Sequence, residues 1–206
     1  MRGILYTNPM FSQSFCAAGC GRPAFTGSAL CAVHSTDSKA DALRLSEYIT
    51  KQKVIKDISA QGLHFEQVDF SQRKYYGCNF SGASFHKCIF SGVLMRLTFF
   101  DFSTLSHCDF SKGDLQFLSL AGAVIEDCSF EGSELININF EGTQITGSSF
   151  NNSNLFHSRF IGAGITRTGF IDCNLKWANF TKTKREDVSF KSSNTAEAIF
   201  EMEEYK

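Results

Sequence analysis

From Phe65 to Phe180, every fifth residue is large and apolar, an unbroken run of twenty-four positions. An α-helix repeats every 3.6 residues and a flat strand every two, so neither backbone produces this spacing. The stretch "FSGASFHKCIFSGVL" carries it in miniature, with Phe80, Phe85 and Phe90 as successive centres. Two residues before most centres stands a small or modest side chain, such as Cys78, Ala83, Cys88, Ser103, Ser133 or Ala163. The residue between is mostly polar, as at Asn79, Ser84, Asp109 and Asn139. A small and a large residue flanking a polar one describe a short extended segment with both flanks inward and the middle outward. Two residues after the centre, glycine recurs, as at Gly82, Gly92, Gly132 and Gly142, supplying the positive φ of a tight corner. Each five residues therefore make one side and one corner of a coil.

The number of sides follows from which apolar residue occupies each centre. From Phe70 to Phe200 every tenth residue is Phe except Leu120, while the centres between them turn aliphatic after Phe85. Only an even number of sides keeps each vertical column uniform, and two sides enclose nothing. Four sides and twenty residues per coil is the simplest closed solution. Neighbouring coils then pair like parallel strands about 4.8 Å apart, and residues 65–190 make about six coils and a rod of roughly 30 Å. Every amide in such a ladder must donate, which fits the absence of proline after Pro23.

The segments "CNFSG", "ASFHK", "CIFSG", "CDFSK", "CSFEG" and "ANFTK" resemble the pentapeptide-repeat family, whose motif is a small residue, a polar one, Leu or Phe, then two variable positions. The resemblance covers about two thirds of the chain and implies an all-β fold, a right-handed quadrilateral β-helix. Its handedness comes from the resemblance alone. Some members of that family resist quinolones by mimicking DNA and binding type II topoisomerases. That makes a topoisomerase one expected partner.

The eight cysteines fall into two groups. Cys78, Cys88, Cys108, Cys128 and Cys173 all precede a centre by two and read as buried, reduced fillers. Cys16, Cys20, Cys31 and His34 precede the repeat in the pattern C-x3-C, ten residues, C-x2-H. Two ligand pairs joined by a short loop suit a closed tetrahedral zinc site with no open position for chemistry. The expected cofactor is one structural zinc, whose binding would fold a module too small to fold by apolar burial. The "LCAVH" ending resembles small treble-clef or zinc-knuckle modules.

Four segments follow from these patterns: an N-terminal arm with its zinc module at 1–37, a capping helix at 38–59, the coil at 60–192, and a tail or short helix at 193–206. In the helix segment, Ser38 and Asp41 resemble a capping box, and Leu45, Tyr48, Ile49, Ile55 and Ile58 form one apolar stripe. A solenoid end exposes core and strand edge, so a cap there is expected.

Function must then sit on outward positions. Leu97, Phe117 and Trp177 share one twenty-residue column, with Phe99, Ile136 and Phe156 on adjacent columns. Contiguous apolar surface usually has a partner. The N-terminal helix, a second copy forming a homodimer, and a foreign protein are the open choices. Residues 101–141 carry an acidic belt including Asp114, Glu126, Asp127, Glu131 and Glu134, which reads either as DNA mimicry or as solvated surface. The basic N-terminal module is a further candidate for nucleic-acid contact. Phosphate-loop, G-x-S-x-G and H-E-x-x-H signatures are missing, so the expectation is a non-catalytic scaffold without a small-molecule substrate. No apolar run reaches membrane length and the start lacks the apolar core of a signal peptide, so the expected location is cytoplasmic, off the membrane.

Overall fold

The computed structural model describes residues 14–201. Its repeat is a four-sided parallel β-helix of about seven turns with one N-terminal α-helix. On one side the strands Val54–Lys56, Lys74–Tyr76, Leu94–Arg96, Asp114–Gln116 and Glu134–Ile136 form a five-stranded sheet. Opposite them, seven strands run from His64–Glu66 to Lys184–Glu186. Pairing is parallel with a shift of twenty residues, as in Ile55↔Tyr75, Leu115↔Leu135 and Phe85↔Leu105. Single bridges of the same register, such as Asp69↔Ile89 and Asn79↔Phe99, close the other two sides.

Both phenylalanine walls form as the columns require. Phe90 and Phe110 stack with ring centroids 4.5 Å apart, Phe110 and Phe130 5.0 Å, and Phe140 and Phe160 4.6 Å. Rings from the two walls meet edge-on across the interior, as in Phe140 against Phe150 at 86°. Offset stacks and T-contacts are the arrangements that aromatic quadrupoles favour. Each fully buried ring removes enough apolar surface from water to contribute about 1.5–3 kcal/mol.

The small inward residues do more than fill. Cys108 Sγ donates to the Phe85 carbonyl at 3.4 Å and Cys128 Sγ to Leu105 at 3.5 Å. Ser133, Ser153 and Ser158 donate to carbonyls displaced by the same twenty-three residues, Phe110, Phe130 and Leu135. Thiol and hydroxyl are thus interchangeable here as small donors. Burial pushes the Cys78 thiol up to about 12, consistent with inert packing cysteines. None of the eight cysteines is in a disulfide.

Every corner has positive φ, whether or not it carries glycine: Gly92 at 62°, Gly142 at 65°, but also Lys112 at 56° and Asp172 at 54°. Coil geometry imposes the conformation, and glycine merely lowers its cost.

The helix spans Ser38–Thr50, shorter than the 38–59 segment expected from sequence. Ile55 and Ile58 are buried in the first coil rather than in a helical stripe, and Tyr48 is exposed. Asp37, not Ser38, is the N-cap, accepting from the Ala40 amide at 3.0 Å. Asp41 is already engaged by the Ser35 hydroxyl at 2.6 Å and by Arg44. The coil therefore begins at Val54, before the expected residue 60. Ala60 hid this coil, because a small residue stands where the other centres are large. Phe25, Leu45 and Ile49 share one core cluster with Ala60 and Leu63, so the helix and the N-terminal module together cover the first coil. In the C-terminal segment Thr195–Glu197 is a 3-10 turn, and Phe200 extends the stack below Phe180 at 5.2 Å.

Candidate metal centre and interaction surface

Residues 14–35 make a compact knuckle. An antiparallel bridge pairs Phe15 with Pro23, and the Cys16 amide donates to the Arg22 carbonyl at 2.9 Å. Gly19 and Gly21, with φ of 73° and 72°, turn the chain between them. No atom lies within 4 Å of a Cβ placed at either, so glycine is favoured there for its dihedral and not for space. A second turn brings His34 back over Cys31, its amide donating to the Cys31 carbonyl at 3.0 Å.

These two turns gather Cys16, Cys20, Cys31 and His34, whose ligand atoms all lie within 4.8 Å of one another. His34 Nδ1 is 3.5 Å from both Cys16 Sγ and Cys31 Sγ, and Cys20 Sγ is 3.7 Å from Cys31 Sγ. Burial raises the Cys16 thiol above its ordinary value. At Cys31 burial acts in the same direction, but amide donors from His34 and Val33, aided by the His34 and Cys16 side chains, outweigh it and lower the thiol to about 6. That shift favours the Cys31 thiolate, the form that ligates metal. The knuckle is tied to the coil: the Thr26 amide donates to the Ser59 carbonyl, and the Ser59 amide to Thr26 Oγ1 at 2.8 Å.

On the rod, the six apolar candidates lie at or beside one corner. Leu97, Phe117 and Trp177 occupy corner positions with φ of 51°, 55° and 59°, and are 50%, 53% and 56% exposed. Bulky side chains are rare in that conformation, which costs about 1–2 kcal/mol. Phe156 lies on the adjoining face with its ring 5.4 Å from Trp177. Ile136 is half-buried on the same face, and Phe99 is half-buried on the other side of the corner. Two neighbours not singled out by the sequence join this cluster. His157 sits 6.1 Å from the Trp177 ring, and Lys176 Nζ lies 5.5 Å over it. Phe102, 75% exposed, occupies another corner with its ring against Gly122. The corner rule that marks Leu97 also marks Phe102.

The N-terminal helix does not cover this ridge. It packs against the strand His64–Glu66 on the opposite sheet, leaving a second copy or a foreign protein as the remaining choices.

The acidic candidates are dispersed and mostly engaged. Asp114 pairs with Arg96 at 2.6 Å and accepts from Gln116. Glu134 accepts from Asn154 at 2.7 Å, and Glu131 from Ser149 at 2.6 Å. Asp127 lies 3.8 Å from His107, and Glu126 stands on the opposite sheet from Asp114. Hence they do not form one continuous stripe.

Among the described residues, no helix is long and apolar enough to cross a membrane. The Pentapeptide repeats family model matches in eight copies over residues 64–101 and 125–162. No curated protein matches the sequence. Among solved structures, the chain is similar to HetL, a pentapeptide repeat protein involved in heterocyst differentiation regulation from the cyanobacterium Nostoc sp. strain PCC 7120. Identity is 13%, with 78% of this chain and 96% of that one covered and a TM-score of 0.33. It is similar to trypsin-treated QnrB1, a plasmid-mediated fluoroquinolone resistance protein, at 16% identity, 66% and 81% coverage and a TM-score of 0.30. A third similar structure is a pentapeptide repeat protein from the Arabidopsis thaliana thylakoid lumen, at 22% identity, 52% and 64% coverage and a TM-score of 0.30. The eight matched copies and the twenty-residue coil agree with each other, and together they support the pentapeptide-repeat family for this chain.

Proposed function

We propose that this protein is a non-catalytic protein-interaction scaffold, a rigid rod that presents one apolar ridge and is closed at its N-terminus by a structural zinc site. The observation that carries the reading is the ridge itself. Of the large apolar residues at corner positions, Leu97, Phe117 and Trp177 share one column and only Phe102 lies elsewhere. Solubility and folding both disfavour such residues there, so a binding role accounts for them better than chance. The cations Arg96, Lys176 and Arg159 at the ridge's rim are each paired, with Asp114, Glu197 and Glu141. A protein surface fits that rim better than a phosphate backbone, which needs net positive charge. DNA mimicry toward a topoisomerase receives less support, since the carboxylates lie on different sides and most of them are engaged by neighbouring side chains. Capture experiments with wild type, Phe117→Asp and Trp177→Asp test the reading: the variants should lose bound protein while keeping wild-type circular dichroism. Equal capture by all three would refute it.

Zinc is supported by the spacing of its four ligands. With Zn–S near 2.3 Å and Zn–N near 2.0–2.1 Å, a tetrahedron has S–S edges of ~3.8 Å and S–N edges of ~3.6 Å. The 3.7 Å and 3.5 Å separations match those edges. Four protein ligands close the site, so the ion would hold the knuckle together and leave no position for a substrate. Metal analysis should find one zinc per chain, lost in Cys31→Ser.

A further inference from the structure

We propose that the partner of the ridge is a second copy of this chain, with Trp177 of one molecule seated in the groove between the helix and the first coil of the next. The inference rests on the ridge being a binding surface and names what it binds. Among the described residues the groove is a concavity of about 280 Å3, lined by Ala42, Leu43, Phe65 and Val68, with Lys39 and Glu66 among its polar lining. That is at the lower edge of the ~300–1,000 Å3 of small-molecule sites and is enough for one large side chain. Leu43 is exposed on the helix beside it, although it is a large aliphatic residue.

Charge gives the match its sense. Beside Trp177, Lys176 Nζ and Glu197 lie 3.6 Å apart, one cation and one anion. The groove carries the complementary pair, Glu66 and Lys39. Docking Trp177 lets Lys176 approach Glu66 and Glu197 approach Lys39, and one neutral pair meets another without an unpaired charge. Trp177 and Phe65 are more than five coils apart along the rod, roughly 27 Å at ~4.8 Å per coil, so Trp177 cannot reach the groove of its own chain. The contact joins two different patches, making it heterologous; it generates open chains of molecules or a ring rather than a closed twofold dimer.

Complementation separates this arrangement from any symmetric one. Trp177→Asn removes the plug but keeps the groove, and asparagine already occupies a corner of this column at Asn137. Leu43→Glu spoils the groove and keeps the plug, at a residue exposed enough not to disturb folding. In sedimentation, wild type should grow in mass with concentration, each variant alone should be monomeric, and the two mixed should give a one-to-one dimer and nothing larger. Trp177 is the only tryptophan, so its emission reports its own environment and should shift to shorter wavelength on assembly. Wild type that remains monomeric with unshifted emission overturns the proposal, as does assembly that survives either variant. If wild type is monomeric while Phe117→Asp still abolishes capture of other proteins, self-association falls and the ridge reading stands. If ridge variants change neither, both fall.

Discussion

The two ends of the rod solve the same problem by different chemistry. At the N-terminus the first coil is covered: Ile55, Ile58 and Ala60 are fully buried, and Phe25, Leu45 and Ile49 join their cluster from the knuckle and helix. At the C-terminus, among the described residues, Phe190 and Phe200 are only half-buried. There the column Phe65, Phe85, Leu105, Ile125, Ile145, Ile165 ends in Arg185, an inward position taken by a charge, whose guanidinium lies 4.8 Å over the Phe200 ring. One end is hidden by added structure and the other is made unattractive to a further strand. An inward-pointing charge on an edge strand is a known defence against edge-to-edge pairing.

The largest expected effect breaks the covered end. If the proposed zinc is bound, Cys31→Ser or treatment with a chelator should unfold the knuckle and expose the first coil, because metal binding would supply folding energy there. Hydrogen exchange should lose protection from Cys16 to about Phe65 while coils beyond Phe85 retain theirs, since solenoid stability is carried by nearest neighbours. Uniform loss along the rod would refute this partition. Next comes the middle against the open end. Phe130→Ala removes a ring stacked 5.0 Å and 4.7 Å from its neighbours and should cost about 3–5 kcal/mol. Phe200→Ala, at the half-buried end, should cost only about 1–2 kcal/mol. Denaturant midpoints measured on both variants check the ordering. Arg185→Leu then sharpens the contrast without touching the cap: stability should change by less than about 1 kcal/mol, but concentration-dependent association through the bared end should appear in light scattering. The smallest effect is a gain. The Ser103 hydroxyl is buried without a partner, in a column where Ala123 sits one coil away, so Ser103→Ala should raise stability by about 1 kcal/mol.

Local sequence was most informative where each residue's neighbours follow from coil geometry. Phe110 meets Phe130 because a coil takes twenty residues, and the columns could be drawn before any contact was known. That Cys16, Cys20, Cys31 and His34 would gather was also legible, since cysteine and histidine in paired spacing suit one shared site. Legibility failed where a side chain chooses between two local hydrogen-bond patterns. Asn154 and Asn174 sit where Leu94 and Glu134 open three-residue strands, but at each the pairing is reduced to isolated one-residue bridges. Their Oδ1 atoms accept from the amides of Phe156 at 3.2 Å and Lys176 at 3.1 Å, so the side chain replaces strand pairing with a turn. An amide ladder follows, Asn174 Nδ2 donating to Asn154 Oδ1 at 2.9 Å. Asn79 and Asn139 make the same turn on another side, yet nothing in the residue type alone says which pattern wins.

By itself the sequence determined the period, the four walls, the inward and outward positions and the four side chains that gather at the knuckle, because all of these depend on spacing along the chain. Only the tertiary structure decided where the coil begins, that the helix covers the first coil and leaves the ridge bare, and that Phe156, His157, Lys176 and Trp177 meet at one corner. Those outcomes depend on which surface the cap buries and how side chains lean across coils. Both are settled by packing among residues whose positions the five-residue period leaves open.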